Sequence, residues 1–252
     1  MSLMRTRRLY ATVIVFAAAC AAAGNNGGNG GGDDQHPIDA SPGTDGDVPG
    51  DGPQPIDGPP IDAAPIAVTL TQNTGATVGS NNSIACGNNS DGTTSENSWY
   101  RVWKLSDEGI VGAFHVTAVT FGVQESTGLP NVQVKIGSYS GNITPPPAQL
   151  DTGLITPIAA ATFAVPNTAS TSTTSVTVPV SANVPALGQM IVEVFSPDAL
   201  GTGKYFYLGG NSLGESKPGY LRAPTCTTPQ PKTTAALGFP TSNLLITVSG
   251  TK

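Results

Sequence analysis

The chain has 252 residues, a formal net charge of −6 and 11% charged residues, with 31 Gly and 22 Pro. That charge is unevenly laid down: residues 24–65 carry 8 Asp and no Lys or Arg, whereas residues 66–252 carry 8 bases against 9 acids. A near-neutral domain has no basic field for a phosphate backbone, so nucleic acid is excluded as a partner.

Met1 to Arg8 is basic, through Arg5, Arg7 and Arg8, and Leu9 to Ala19 is an apolar run of 11 residues. A spanning helix needs about 20 such residues, so residues 1–19 read as a cleaved leader. Ala17-Ala18-Ala19-Cys20 follows. Three cysteines are present: Cys20 beside the leader, then Cys86 and Cys226. Two cysteines in an exported domain most simply pair with each other, which leaves Cys20 odd. The alternative is an ordinary signal peptide cut after Ala19 or Ala23.

Residues 24–65 are Gly, Asn, Asp and Pro with scattered Ile, including Pro-Ile-Asp at Pro37, Pro55 and Pro60, and with Cys20 they make up a segment 20–65. Such a composition cannot bury enough apolar surface to offset its ordering entropy. It reads as a disordered tether.

From Ile66 the apolar period is two. Strands are expected at 66–71, 98–105, 115–124, 132–136, 160–165, 176–180, 189–196, 204–209 and 243–248, separated by Gly- and Pro-rich turns. No helix of 10 residues is expected. The reading is an all-β fold, an antiparallel β-sandwich over 66–252, with its last strand pairing to an early one. Cys86 and Cys226 would join two long loops.

Ala17–Cys20 resembles the lipobox of bacterial surface lipoproteins. Asn97–Leu105, Val119–Val123, Ile191–Phe195 and Tyr220–Pro224 resemble the jelly-roll-like accessory domains of secreted bacterial proteins. The first resemblance implies a diacylglycerol on Cys20 and membrane anchoring. Ala21, which is not Asp, implies the outer membrane or cell surface. The second implies a jelly-roll-like sandwich without catalysis, for adhesion or carbohydrate binding.

Candidate sites are sparse. Gly210-Asn211-Ser212-Leu213-Gly214 matches the nucleophile elbow, but Pro218 and Gly219 deny it a helix and no His follows. His115, the one histidine of the domain, shares parity with Val119 and Phe121 and is expected at the core edge. Asp91 and Glu96 lie in an oxygen-rich loop suited to a structural calcium ion. Trp99, Arg101 and Trp103 share one strand face and are expected in the core, with Glu193 as the partner of Arg101. Tyr205, Tyr207, Tyr139 and Tyr220 are the candidate aromatics for a sugar face. The function these features favour is an anchored, non-catalytic binding or adhesion module for an extracellular glycan or protein. The alternative is a structural envelope lipoprotein with no small ligand.

Overall fold

In the computed structural model, residues 2–5, 64–88 and 90–252 are described. Cys20, the cleavage site and most of the leader and tether lie outside them. The strands are β1 (Ser2–Arg5), β2 (Ala67–Thr71), β3 (Ile84–Gly87), β4 (Asn97–Lys104) and β5 (Phe114–Thr127). They continue as β6 (Asn131–Tyr139), β7 (Ile155–Ala164), β8 (Thr174–Val184), β9 (Gln189–Ser196) and β10 (Tyr205–Leu208). The last are β11 (Gly210–Asn211), β12 (Tyr220–Ala223), β13 (Thr228–Thr233), β14 (Asn243–Leu244) and β15 (Ile246–Thr251).

Two antiparallel sheets form a sandwich. The first runs β2-β15-β5-β8, with β10 following β15 along the same edge of β5. The second runs β13-β12-β4-β9-β6-β7. With β2, β4, β5, β6, β7, β8, β9 and β15 counted 1 to 8, the sheets read 1-8-3-6 and 2-7-4-5. That is the jelly-roll order of two Greek keys. The closing strand β15 pairs with β2, the first strand of the domain.

Alternation explains the core. Trp99, Trp103, Val192, Val194, Val132, Val134 and Ile136 point inward from the second sheet, against Val119, Phe121, Val176, Val178, Ile246 and Val248 of the first. Phe206 centres an aromatic cluster, with Trp99 at 5.5 Å and Phe121 at 5.9 Å, both edge-on. Both Trp are core residues, the reading preferred over a ligand-binding face.

Residues 197–245 are an insertion between the seventh and eighth framework strands, and three devices fix it. Its β12 pairs with β4 and extends the second sheet. Cys226 is bonded to Cys86, which lies on the short strand β3 and not in the loop expected, across 140 residues. Closing a loop of that length removes denatured-state entropy worth about 5 kcal/mol in the chain model. Arg101, fully buried, pairs with Glu215 at 2.7 Å and donates to the carbonyls of Lys217 and Leu244. The expected partner Glu193 is not the one used. Arg101 lies opposite Val192 and faces the core, while Glu193 lies opposite Tyr100 and faces outward.

His115 also departs from expectation. A register shift between Val116 and Ala118 reverses the parity of β5. His115 therefore faces outward, with Nδ1 2.8 Å from Asn183 Oδ1, while Val116, Val119 and Phe121 face in.

Candidate functional site

The outward face of the second sheet is the most elaborated surface of the domain. Its inward residues are spent on the core, so the alternate set is free for other contacts. These are Ser98, Tyr100 and Val102 on β4; Gln189, Ile191, Glu193 and Phe195 on β9; Gln133, Lys135, Gly137 and Tyr139 on β6; and Tyr220 and Arg222 on β12.

One part of this face is roofed. Residues 140–154, joining β6 to β7, fold over it and reach β13, where Leu150 N donates to Pro231 O and Thr233 N to Ala148 O. Leu150 and Ile143 pack on Tyr100, Val102, Tyr139, Ile191 and Tyr220. Side chains pin this strap: Gln189 Nε2 donates to Gly141 O at 2.9 Å, and Asp151 N donates to the Tyr139 hydroxyl at 3.2 Å. Tyr139 and Tyr220 are 5% and 2% exposed. They carry the strap and are not offered to solvent.

Beyond the strap the face is open and polar. Lys135 Nζ sits 4.0 Å from the centre of the half-buried Phe195 ring and 3.3 Å from Glu193 Oε1. Arg222 pairs with Glu96. A hollow of about 50 Å³ lies between Tyr100, Lys135, Ile155, Pro157, Ile191 and Glu193. Gly137 lines it too, and a Cβ there would approach Thr156 O to 2.9 Å and Ile155 Cγ2 to 3.1 Å. Burial, then the Glu193 carboxylate, pushes the Tyr100 phenol well above its usual range. It therefore remains a neutral donor. The open part of the face thus sets Lys135 beside Glu193 and the Phe195 ring, with the Arg222–Glu96 pair on the same side of the sheet.

The remaining candidates are dispersed. Tyr205 and Tyr207 lie on β10 with ring centres 5.6 Å apart. Tyr205 donates to Glu125 at 2.9 Å, and Tyr207 is buried and donates to Gly92 O at 3.1 Å. They belong to the first sheet, so the four tyrosines do not assemble into one site. Asp91 accepts from Thr93 N and Oγ1 at 2.9 and 2.6 Å, and Thr93 holds its carboxyl below the usual value. Glu96 is taken by Arg222. Among the described residues no three His, Cys, Asp or Glu gather as a metal site. Ser212 is exposed in a bend after β11, with no helix behind it.

Lys135, Phe195, Gln133 and Arg222 were not singled out from sequence. The alternation in Val132-Gln-Val-Lys-Ile136 marked Gln133 and Lys135 as outward, but only the pairing of β6 with β9 sets Lys135 beside Glu193.

No protein-family model matches this chain, and no curated protein does. Solved structures similar to it in part include two of one clostridial protein. One holds the cysteine protease and lectin-like domains of Cwp84, a surface layer associated protein of Clostridium difficile. It is 12% identical with a TM-score of 0.43, over 63% of this chain and 33% of that one. The other is the clostridial cysteine protease Cwp84 after propeptide cleavage, at 10% identity and a TM-score of 0.44, over 74% of this chain and 40% of that one. This chain thus spans 33–40% of the length of the structures it matches.

Proposed function

We propose that this protein is an exported, lipid-anchored display protein whose jelly roll binds a glycan through the open outer face of its second sheet. One observation carries the binding reading. Lys135, Glu193, Phe195 and the adjoining hollow form a preorganised polar and aromatic surface beside a strap that is itself held rigid. Export is supported by the Cys86–Cys226 bond, which belongs to an oxidising compartment. The anchor rests on Cys20, the cysteine outside that pair. Processing before Cys20 would also remove β1 and free the edge of β3 that it covers.

Phe195→Ala and Glu193→Gln change half-buried outward residues and should leave the fold intact. Each should weaken retention on a glycan array at least 10-fold, the loss of about 1.4 kcal/mol. A ligand held equally by both variants would remove this face from consideration. Replacing Cys20 by Ser should abolish palmitate incorporation and release the protein from membranes. Equal membrane retention would sink the anchor.

A second reading, a structural envelope lipoprotein without a small ligand, is favoured by the burial of Trp99, Trp103, Tyr100, Tyr139, Tyr207 and Tyr220. Among the described residues no row of exposed aromatics remains for stacking on sugars. A blank array together with an empty envelope pull-down would select this reading.

A further inference from the structure

The two sheets have five edge strands: β2, β8 and the four-residue β10, whose Phe206 N donates to Thr94 Oγ1, on the first, and β7 and β13 on the second. An open edge offers unpaired N–H and C=O groups to any other strand, and natural sheets blunt it with proline, charge or bulges. Three of these edges carry proline, which deletes a donor: Pro179 on β8, Pro157 on β7, and Pro229 with Pro231 on β13. The strap adds a further guard to β13 through the bridge between Gln149 and Lys232.

β2 has none of these protections. Its sequence, Ala67-Val-Thr-Leu-Thr71, is uncharged, rich in β-branched residues and free of proline, and its register with β15 is unbroken. Ile66 and Lys252 exchange both backbone hydrogen bonds, at 2.9 and 3.0 Å. Antiparallel pairs alternate, so Val68 and Leu70 also face β15. The N–H and C=O groups of Ala67, Thr69 and Thr71 therefore point away from the sheet. Among the described residues no strand pairs with that side.

We infer that this edge joins a second copy of the same chain, β2 against β2 antiparallel, with Thr69 opposite Thr69. The outward-pointing residues are spaced evenly about Thr69, so one two-fold axis there pairs Ala67 with Thr71 of the other copy and satisfies all six outward residues. The contact is isologous and closes on itself. On the core side it sets the half-buried Val68 against Leu70 of the other copy. On the outer side it sets threonine beside threonine. The outer ranks behind it, Thr71-Thr247-Thr120-Thr177 and Thr69-Ser249-Ala118-Pro179, carry no charge to oppose the approach. A five-residue edge buries much less than the roughly 1,000 Å² of a stable interface. The dimer is therefore weak in solution and gains from confinement of tethered copies to one surface.

The test uses the full chain with Cys20→Ser, so that lipid does not drive association, and needs no glycan. Sedimentation velocity should show a concentration-dependent monomer–dimer equilibrium. Thr69→Lys places like charges directly opposite each other, and Thr69→Pro deletes an edge donor. Each should weaken the dimer at least 10-fold while the lysine variant melts like the parent. If the proline variant unfolds, the lysine variant decides. Thr69→Cys should cross-link to itself on mild oxidation and Thr71→Cys should not, because Thr71 meets Ala67. Three results would overturn the inference: a monomer at about 1 mM, a dimer indifferent to Thr69→Lys, or slow exchange of the Thr69 amide in a monomer. The last would mean that another segment of the same chain occupies the edge.

Discussion

Glu215→Gln isolates the buried ion pair that ties the insertion to the framework. Arg101 is 0% exposed and the Glu215 side chain 16% exposed, with 2.7 Å between Nη2 and Oε2. Burial lowers the affinity of the guanidinium for its proton, and the Glu215 carboxylate is the largest influence opposing that shift. The amide keeps the shape of the carboxylate and removes its charge, leaving a cation in the core without a counter-ion. Breaking a buried pair in this way costs about 3–5 kcal/mol. At about 2–4 °C per kcal/mol for a domain of this size, the melting temperature should fall by roughly 6–20 °C. Arg101→Met should also destabilise, because the Lys217 and Leu244 carbonyls lose charged donors worth roughly 1.5–3 kcal/mol each. Glu215, at the rim, can turn to water. The double variant Arg101→Met/Glu215→Gln removes both charges and should lose less than the two single losses added together, with a coupling of about 1–3 kcal/mol. Urea titrations and thermal melts by circular dichroism measure all three. A fall of under about 2 °C for Glu215→Gln, or strict additivity, would refute the argument.

The two tryptophans should differ in a way set by their N–H groups. Trp99 Nε1 donates to Ile84 O at 2.8 Å, whereas Trp103 Nε1 is buried without an acceptor. Trp99→Phe should therefore cost about 1 kcal/mol more than Trp103→Phe; equal or reversed losses in urea midpoints would contradict this. Alkaline pH should unfold the domain through its tyrosines. Burial, then Glu125, pushes the Tyr207 hydroxyl from 10.0 up to about 12, and burial, then Tyr139, does the same for Tyr220. Folded values above the unfolded one mean that stability is intact below pH 10 and is lost as pH rises through about 12. Tyr220→Phe should flatten that decline, read as the urea midpoint against pH; an unchanged slope would show that Tyr220 ionises without strain on the fold.

Alternation of apolar residues was enough to place β2, β4, β5, β6, β8, β9 and β15, because a half-buried strand writes its inner face into every second residue. It also put Trp99 and Trp103 on one face, which the structure turns inward. The first half of β7 was invisible, since Ile155 to Ala159 lies at an edge, exposed and broken by Pro157. β12 and β13 were too short and too polar to show a period. The site was less legible still. Outward residues owe nothing to the core, so no pattern says which of them will meet. Glu193 was paired with the wrong cation because parity along a single strand does not reveal which face of its neighbour it shares. The bulge in β5 misplaced His115 for a related reason: one extra residue reverses every parity after it.

By itself the sequence determined composition-level and strand-level properties: an all-β domain after Pro65, two cysteines available to each other, and two tryptophans on one face of a strand. These follow from local rules, namely period, turn chemistry and cysteine parity, that each residue obeys with its near neighbours. Only the tertiary structure decided the winding into a jelly roll, the choice of Glu215 for Arg101, the strap over Tyr139 and Tyr220, and the open ground where Lys135, Glu193 and Phe195 meet. All of these depend on register between strands far apart in the chain, up to the 140 residues separating Cys86 from Cys226. Register is selected by the summed burial of whole sheets, which no local segment encodes.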